Sequence, residues 1–294
     1  MKDKREWLTS LVIDFIATTP ANLMGDAFGD EKMFDKPLVK FASGADKLYE
    51  QFKDPQICAE QHWTPLEAFS EFFPEDISIS PDELTIISWI LPQTEKTKES
   101  MRKEIKGTQY PSERWARVRY FGEPVNDLLR IHIVEKLKEG GIKACAPVLH
   151  PEWCRLSDNI PRVIASKWSE RHTAYTAGHG TFGLCDALIT EIGKAHRTGS
   201  VIMKLKLPIS LRSYTGIYDY CLHYSKGTCG ICADNCMYDA ISREKGHDKK
   251  KCSDFLHGKS PAYIKEHYGF DFYCCGFCQV DVPCESRIPG TTWQ

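Results

Sequence analysis

Nine of the chain's thirteen cysteines fall between Cys221 and Cys284, and the chemistry concentrates there. The run Cys229-Gly230-Ile231-Cys232-Ala233-Asp234-Asn235-Cys236 spaces three thiols as C-x2-C-x3-C. That is the latter part of the bacterial C-x2-C-x2-C-x3-C pattern, whose last cysteine serves the other cluster of two-cluster proteins. Two-residue spacing lets a tight turn aim two thiolates at one cluster, while the last cysteine, opening a helix, points away. Lys226 holds the position of the first cysteine, and Cys221 is the nearest candidate to supply it from a longer loop. A second set follows: Cys252, then Cys275-Gly276-Phe277-Cys278, then Cys284 after Pro283, with a last gap of five residues rather than three.

Crossing the fourth ligands puts one 4Fe-4S cluster on Cys221, Cys229, Cys232 and Cys284, and a second on Cys252, Cys275, Cys278 and Cys236. Cys274 is left over, either a spare or the ligand in place of Cys275. Zinc bound by four thiolates also uses C-x2-C pairs. Eight cysteines in two interleaved sets, one ending C-x3-C, favour iron–sulfur over zinc. An odd cysteine total in a reducing compartment argues against a disulfide framework.

The rest of the composition is that of an ordinary globular protein. With 294 residues, 42% hydrophobic and 27% charged, the chain can bury one large core or two smaller ones. Its formal charge of −2 gives no reason to expect nucleic acid or an anionic membrane as a partner. The start, Met1-Lys2-Asp3-Lys4-Arg5-Glu6, lacks the apolar core of a signal peptide, and no apolar run is long enough to span a bilayer. A cytoplasmic location is expected.

The elements that must position the cysteines follow from periodicity. Trp7, Leu8, Leu11, Val12, Phe15 and Ile16 recur at helical spacing, with Pro20 just beyond. A loop-rich stretch punctuated by Pro55, Pro65 and Pro74 leads to a buried strand over 85–91, ended by Pro92. Leu128 to Leu137 suit a helix closed by Gly140-Gly141. Ala144 to Leu149 reads as a strand, Pro161 to Tyr175 as a helix, and Ser200 to Leu207 as an alternating strand. Helices alternating with strands predict an α/β (α+β) domain over 1–210 with an N-terminal helical extension. A bacterial ferredoxin-like module for two 4Fe-4S clusters follows over 211–294. No low-complexity linker separates them, so the module is expected to pack directly on the domain. The basic run Lys249-Lys250-Lys251 reads foremost as a solvated loop between cluster motifs, and less as a docking site for an acidic electron donor.

The segment from Arg171 to Leu184, containing Thr176-Ala177-Gly178-His179-Gly180-Thr181-Phe182-Gly183-Leu184, resembles the A-G-L-G-x-x-G loop of epoxyqueuosine reductases and corrinoid reductive dehalogenases. Cys252 followed by C-x2-C is similar to the second cluster motif of epoxyqueuosine reductases. The resemblance covers roughly residues 85 to 290. It implies a nitroreductase-like domain binding a cobalamin or another corrinoid, with electrons passing through the clusters to cobalt. On that view the backbone N–H groups around Gly178, Gly180 and Gly183 approach the corrin, all of Thr176 to Leu184 lies against it, and His179 ligates cobalt or bonds a corrin amide. The bland alternatives are a helix-to-strand turn whose glycines only satisfy backbone angles, and a turn histidine satisfied by solvent or backbone. A low-potential donor, ferredoxin or flavodoxin-like, is the partner implied, and a corrinoid protein is a candidate acceptor.

The chain also departs from that family. Asn126 stands where a tyrosine is usual, and Ala144 stands where epoxyqueuosine reductases carry an aspartate general acid before Ala-Pro. Alanine has no proton to give. Tyr120, Cys145, His150 and Tyr175 are the candidate replacements, each more readily explained as a core or surface residue, and Arg171 and His172 read as helix-end residues. The missing acid favours a corrinoid reductase over an enzyme that cleaves a carbon–heteroatom bond at cobalamin. A ferredoxin-like carrier without cobalamin is the third reading.

Overall fold

A computed structural model describes residues 2–156 and 165–290. The N-terminal repeat forms α1 (Lys2–Thr18), with Leu8, Val12 and Ile16 buried along one face. β1 (Leu38–Ser43) and the short α2 (Leu48–Gln51) and α3 (Pro65–Phe72) follow. Local chemistry starts α3: Pro65 takes its first turn, and Thr64 and Glu67 cap each other's backbone N–H groups. β2 (Leu84–Pro92) buries every residue but the last. After α4 (Glu95–Ile105) comes α5 (Glu113–Glu139), 27 residues long and more than twice the length that periodicity predicts. Pro124 hides its first half from a sequence reading, because proline ordinarily ends a helix. Here the helix continues through it, started by the Ser112 hydroxyl accepting from Trp115 N at 3.3 Å.

The next elements are small: β3 (Ala144–Cys145), β4 (Arg155–Leu156), β5 (Ala165–Ser166), α6 (Glu170–Thr176), β6 (Gly180–Phe182) and β7 (Leu188–Thr190), before the long β8 (His196–Lys204). The strand expected over Ala144 to Leu149 stops after two residues, because Pro147 opens a 3-10 turn and has no N–H for a ladder. Of the helix expected over Pro161 to Tyr175, the first four residues lie outside the described ones. Ala165 and Ser166 are paired with β4, so the helix begins only at Glu170. The strand expected over Ser200 to Leu207 is shifted N-terminally, from His196 to Lys204.

Strands order as β1-β2-β8-β3, and each neighbouring pair runs antiparallel. The antiparallel pairing makes this the α+β form of the expected α/β (α+β) fold. β2 and β8 pair along their whole length, Leu84 opposite Lys204 through Pro92 opposite His196. Both faces of that centre are covered. α1 and α5 pack Leu8, Val12, Leu129 and Ile133 against Ile87, Trp89 and Val201. On the other face Tyr49, Phe52, Trp63, Phe69 and Trp168 meet Ile86, Ile90 and Ile202. Burial on both faces explains why 84–91 is a continuous apolar run.

Beyond residue 220 the elements are α7 (Leu222–Lys226), α8 (Ile231–Asp234), the hairpin β9 (Ile241–Ser242) and β10 (Gly246–His247), α9 (Lys249–His257) and α10 (Lys259–Tyr268). They pack on the sheet-bearing part through a shared apolar cluster of Met101, Trp115, Ala195, Ile264, Phe277 and Val280. Trp115 Nε1 donates to Cys275 O at 3.0 Å, and Tyr268 Oη donates to Pro111 O at 2.8 Å. The Trp115 ring occupies the space where a Cβ on residue 276 would project, so the Cys275–Cys278 turn needs Gly276. No helix among the described residues is long and apolar enough to cross a membrane.

Candidate metal centre and the glycine-rich loop

α7 solves the missing first cysteine. Cys221 caps its N-terminus, and Gly227, at φ 65°, reverses the chain in the left-handed region that glycine adopts without strain. The return brings Cys229 and Cys232 to the cavity that Cys221 faces, and Cys284 arrives from the far end of the chain. These four cysteines, the crossed set expected from spacing, line one cavity together with Gly183, Leu184 and Lys194. The other set also gathers: Cys275 feels both Cys252 and Cys236, and burial together with those neighbours pushes its thiol up to about 12. Cys278 lies beside Cys275 and Cys185. Cys274 is buried in the core with Trp115 and Ile264, a cluster on which Cys275 also packs, and its backbone N–H and C=O both bond Ser260 Oγ.

Among the described residues no three His, Cys, Asp or Glu side chains converge on a point that would hold a single metal ion. The donor set is nevertheless chemically apt for iron–sulfur: thiols in two groups, partly buried, with polar groups aimed at them. His247 donates toward Asp186 Oδ2 across 3.1 Å and reaches Cys252 as well; burial opposes its charge, but these two partners outweigh it and hold the imidazole up at about 9.

Two members of this site escape a sequence reading. Cys185 follows directly on the glycine-rich loop, yet its thiol lies within hydrogen-bond reach of Cys232 and 3.8 Å from Cys278 O. Lys194, 2% exposed, donates from Nζ to Cys185 Sγ at 3.4 Å. Cys185 carried a positional hint in its adjacency to the loop. Lys194 carried none.

The glycine-rich loop is enclosed by the rest of the chain. Every residue from Thr176 to Leu184 is buried, and the backbone groups expected to face a corrin are bonded within the protein. Ala177 N bonds Thr173 O, Gly178 N bonds Tyr175 O, His179 N bonds Ala174 O, Phe182 N bonds Ile217 O and Gly183 N bonds Ala187 O, all at 2.8–3.1 Å. Residues 211–220 lie across the loop. Arg212 Nη1 donates to Thr176 O at 3.1 Å, Tyr214 Oη donates to Tyr175 O, and Tyr220 N donates to Thr181 Oγ1 at 2.9 Å. His179, 1% exposed, points into the sheet with Nε2 3.0 Å from Ser88 O, and burial holds its imidazole down at about 3. Backbone thus engages one ring nitrogen of His179, while its buried Nδ1 has no hydrogen-bond partner. In this conformation the Thr176 to Leu184 face does not fit a corrin.

The glycines have another cause. A Cβ on Gly180 would overlap Ile189 O across the β6–β7 pair, and one on Gly178, at φ +92°, would stand 2.9 Å from Leu211 O. Gly180→Val is therefore expected to destabilise the chain by about 3 kcal/mol or more, lowering Tm by roughly 6 °C or more. Calorimetry without any corrinoid checks this; an unchanged Tm would return the glycine to a ligand-facing role.

The candidate proton donors do not converge. Tyr120, 38% exposed, packs on Phe270 and Phe272. His150 lies between Trp63 and Phe72. Cys145 and Tyr175 sit in the core behind the sheet, and burial alone drives the Cys145 thiol far up. Tyr175 stacks on Tyr214. Asn126, in place of the family tyrosine, is fully buried, accepting from Trp89 Nε1 at 2.8 Å and donating to Thr198 O at 2.9 Å. It ties α5 to β2 and β8. Ala144 pairs with Met203 in β3, in the core. His172 is half-buried beside Phe52 and accompanies Ser169 Oγ at 2.7 Å, while Arg171 reaches Asp186 O.

No protein-family model matches the chain, and no curated protein is significantly similar to it. Solved structures similar to it include both enzyme groups that its motifs resemble. An epoxyqueuosine reductase shows 17% identity and a TM-score of 0.47, covering 97% of this chain and 66% of its own. One from Bacillus subtilis shows 16% identity and a TM-score of 0.41, covering 86% and 62%. A catabolic reductive dehalogenase shows 14% identity and a TM-score of 0.45, covering 86% of this chain and 30% of its own. The chain thus spans about two thirds of the reductases and under a third of the dehalogenase.

Proposed function

We propose that the chain is an iron–sulfur oxidoreductase that passes electrons from a low-potential donor to a corrinoid held outside its own core. The observation that carries the first half is the cavity shared by Cys221, Cys229, Cys232 and Cys284, residues far apart in sequence. Cys236, Cys252, Cys275 and Cys278 would hold the second cluster in a ferredoxin-like module, and residues 1–210 form the nitroreductase-like domain on which it sits. When bound, the clusters supply one-electron transfer at potentials reaching about −700 mV, set by charge, hydrogen bonds and exposure. The chain's own contribution is to hold the thiols, exclude water with Leu184 and Ile189, and present charges from Lys194 and His247. A ferredoxin or flavodoxin-like protein suits the donor role. The acceptor is assigned as a corrinoid, free or carried by a partner protein, on the sequence motifs, and neither nucleic acid nor membrane is expected to take part.

The covered loop bears on the choice among readings. With its N–H groups bonded to protein, it favours an external acceptor over cleavage of a carbon–heteroatom bond at a cobalamin inside the chain. It equally suits a carrier that serves a different acceptor. The discriminating experiment mixes the anaerobically reduced chain, freed of excess reductant, with Co(II) cobalamin and follows the Co(I) absorbance. Stoichiometric Co(I) is expected, and cobalamin should not remain with the protein on desalting. Fully reduced clusters without any Co(I) would leave the carrier reading; retained cobalamin would show that residues 211–220 move aside.

A further inference from the structure

Lys194 is a buried cation with no carboxylate to pair with among the described residues. It sits in the turn between β7 and β8, and its backbone N–H bonds Cys284 O and Glu285 O at 3.1 Å. The turn is seated tightly: a Cβ on Gly193, at φ +80°, would overlap Glu285 O. Glu285, the nearby acid, is engaged with Arg102 and with Asp281 N. Lys194 lines the cavity of Cys221, Cys229, Cys232 and Cys284 and donates from Nζ to Cys185 Sγ at 3.4 Å, so sulfur is what its ammonium meets. An ammonium removed from water costs several kcal/mol unless an anion compensates it. Neutral thiols cannot do so. A set of four thiolates on a cluster, negatively charged as a whole, can.

Resting on the iron–sulfur reading of the cavity, we propose that Lys194 is the positioning counter-charge of the cluster held by Cys221, Cys229, Cys232 and Cys284, and that it raises that cluster's reduction potential. Reduction adds negative charge to a group already anionic, so a fixed cation at its edge favours the reduced state. Lys194 reaches the cavity directly and through the Cys185 thiol, which lies within hydrogen-bond reach of Cys232. The other set has a different environment: His247 beside Cys252 is matched by Asp186, which also meets Lys249 at 3.5 Å. Lys194 also lies near Cys278 of that set, but it lines the cavity of the first, so removing its charge should move the first cluster more than the second.

The test is an anaerobic redox titration of the whole chain followed by electron paramagnetic resonance, comparing Lys194→Met and Lys194→Arg with the unmodified protein. Lys194→Met keeps the stem and loses the charge. Its affected cluster should show at least a tenfold lower reduced-to-oxidised ratio at the former midpoint, which for one electron is about 59 mV. Lys194→Arg should restore most of the shift, and the affected signal should be the one that Cys229→Ser abolishes. Should Lys194→Met lose iron outright, its retention by Lys194→Arg would still identify charge as the requirement. Iron loss in both variants, unmoved midpoints, or an equal shift of both clusters would overturn the proposal while leaving the two-cluster reading intact. An unmodified chain containing zinc and no iron would overturn that reading, and this inference with it.

Discussion

Cys229→Ser and Cys284→Ser each remove the same four iron atoms from a chain that otherwise carries about eight iron and eight sulfide, although 55 positions separate the two residues. The expectation follows from the cavity, where Cys284 stands with Cys221, Cys229 and Cys232. Cys236, only four positions beyond Cys232, should belong to the other cluster, since it lies with Cys252 and Cys275. Cys236→Ser and Cys278→Ser should therefore abolish the complementary signal. The ligands tie α7, α8, α9 and the C-terminal turns together, so each loss should also destabilise this part of the fold. Iron and sulfide analysis with electron paramagnetic resonance, all without oxygen, gives the answer. Loss of one signal by Cys229→Ser and of the other by Cys284→Ser would show sequential ligation, and stoichiometric zinc would show the metal misassigned.

Epoxyqueuosine-containing tRNA should pass through the reduced chain unconverted. General acid help is commonly worth about 10²–10⁴ in rate, and Ala144 stands where the epoxyqueuosine reductases that the motifs resemble carry an aspartate. Its surroundings sharpen the expectation: Ala144 is 8% exposed, in a strand paired with Met203 and packed with Leu137 and Ala146. An Ala144→Asp variant should not gain activity. The carboxyl would enter an apolar cluster, its proton held by desolvation, and the variant should melt lower by several degrees. Neither Cys145, whose thiol burial drives far up, nor His150, lodged between aromatic rings, is placed to act instead. Robust conversion by the unmodified chain, assayed with a strong reductant, would overturn this account of the missing acid.

Periodicity was enough to foresee α1, β2 and β8, because each has a long face or a double-sided burial that demands apolar residues in order. It failed where a single residue misleads. Pro124 hid half of α5, and Pro147 cut β3 to two residues. Cysteine spacing alone grouped the two sets, since short gaps leave the backbone few ways to aim its thiols. Cys221 was chosen for proximity, and the α7 turn at Gly227 places it on the cavity with Cys229 and Cys232.

What the amino-acid sequence determined by itself is therefore the thiol inventory, its partition, and the absence of an acid at residue 144. The tertiary structure decided the rest, because burial and charge pairing arise only between distant segments. Residues 211–220 are unremarkable as sequence, yet they bond the backbone that the glycine-rich loop was expected to offer a cofactor. His179 gives its ring to Ser88 O, a partner 91 positions away. Lys194 is one of many lysines until the fold removes its water and surrounds it with sulfur.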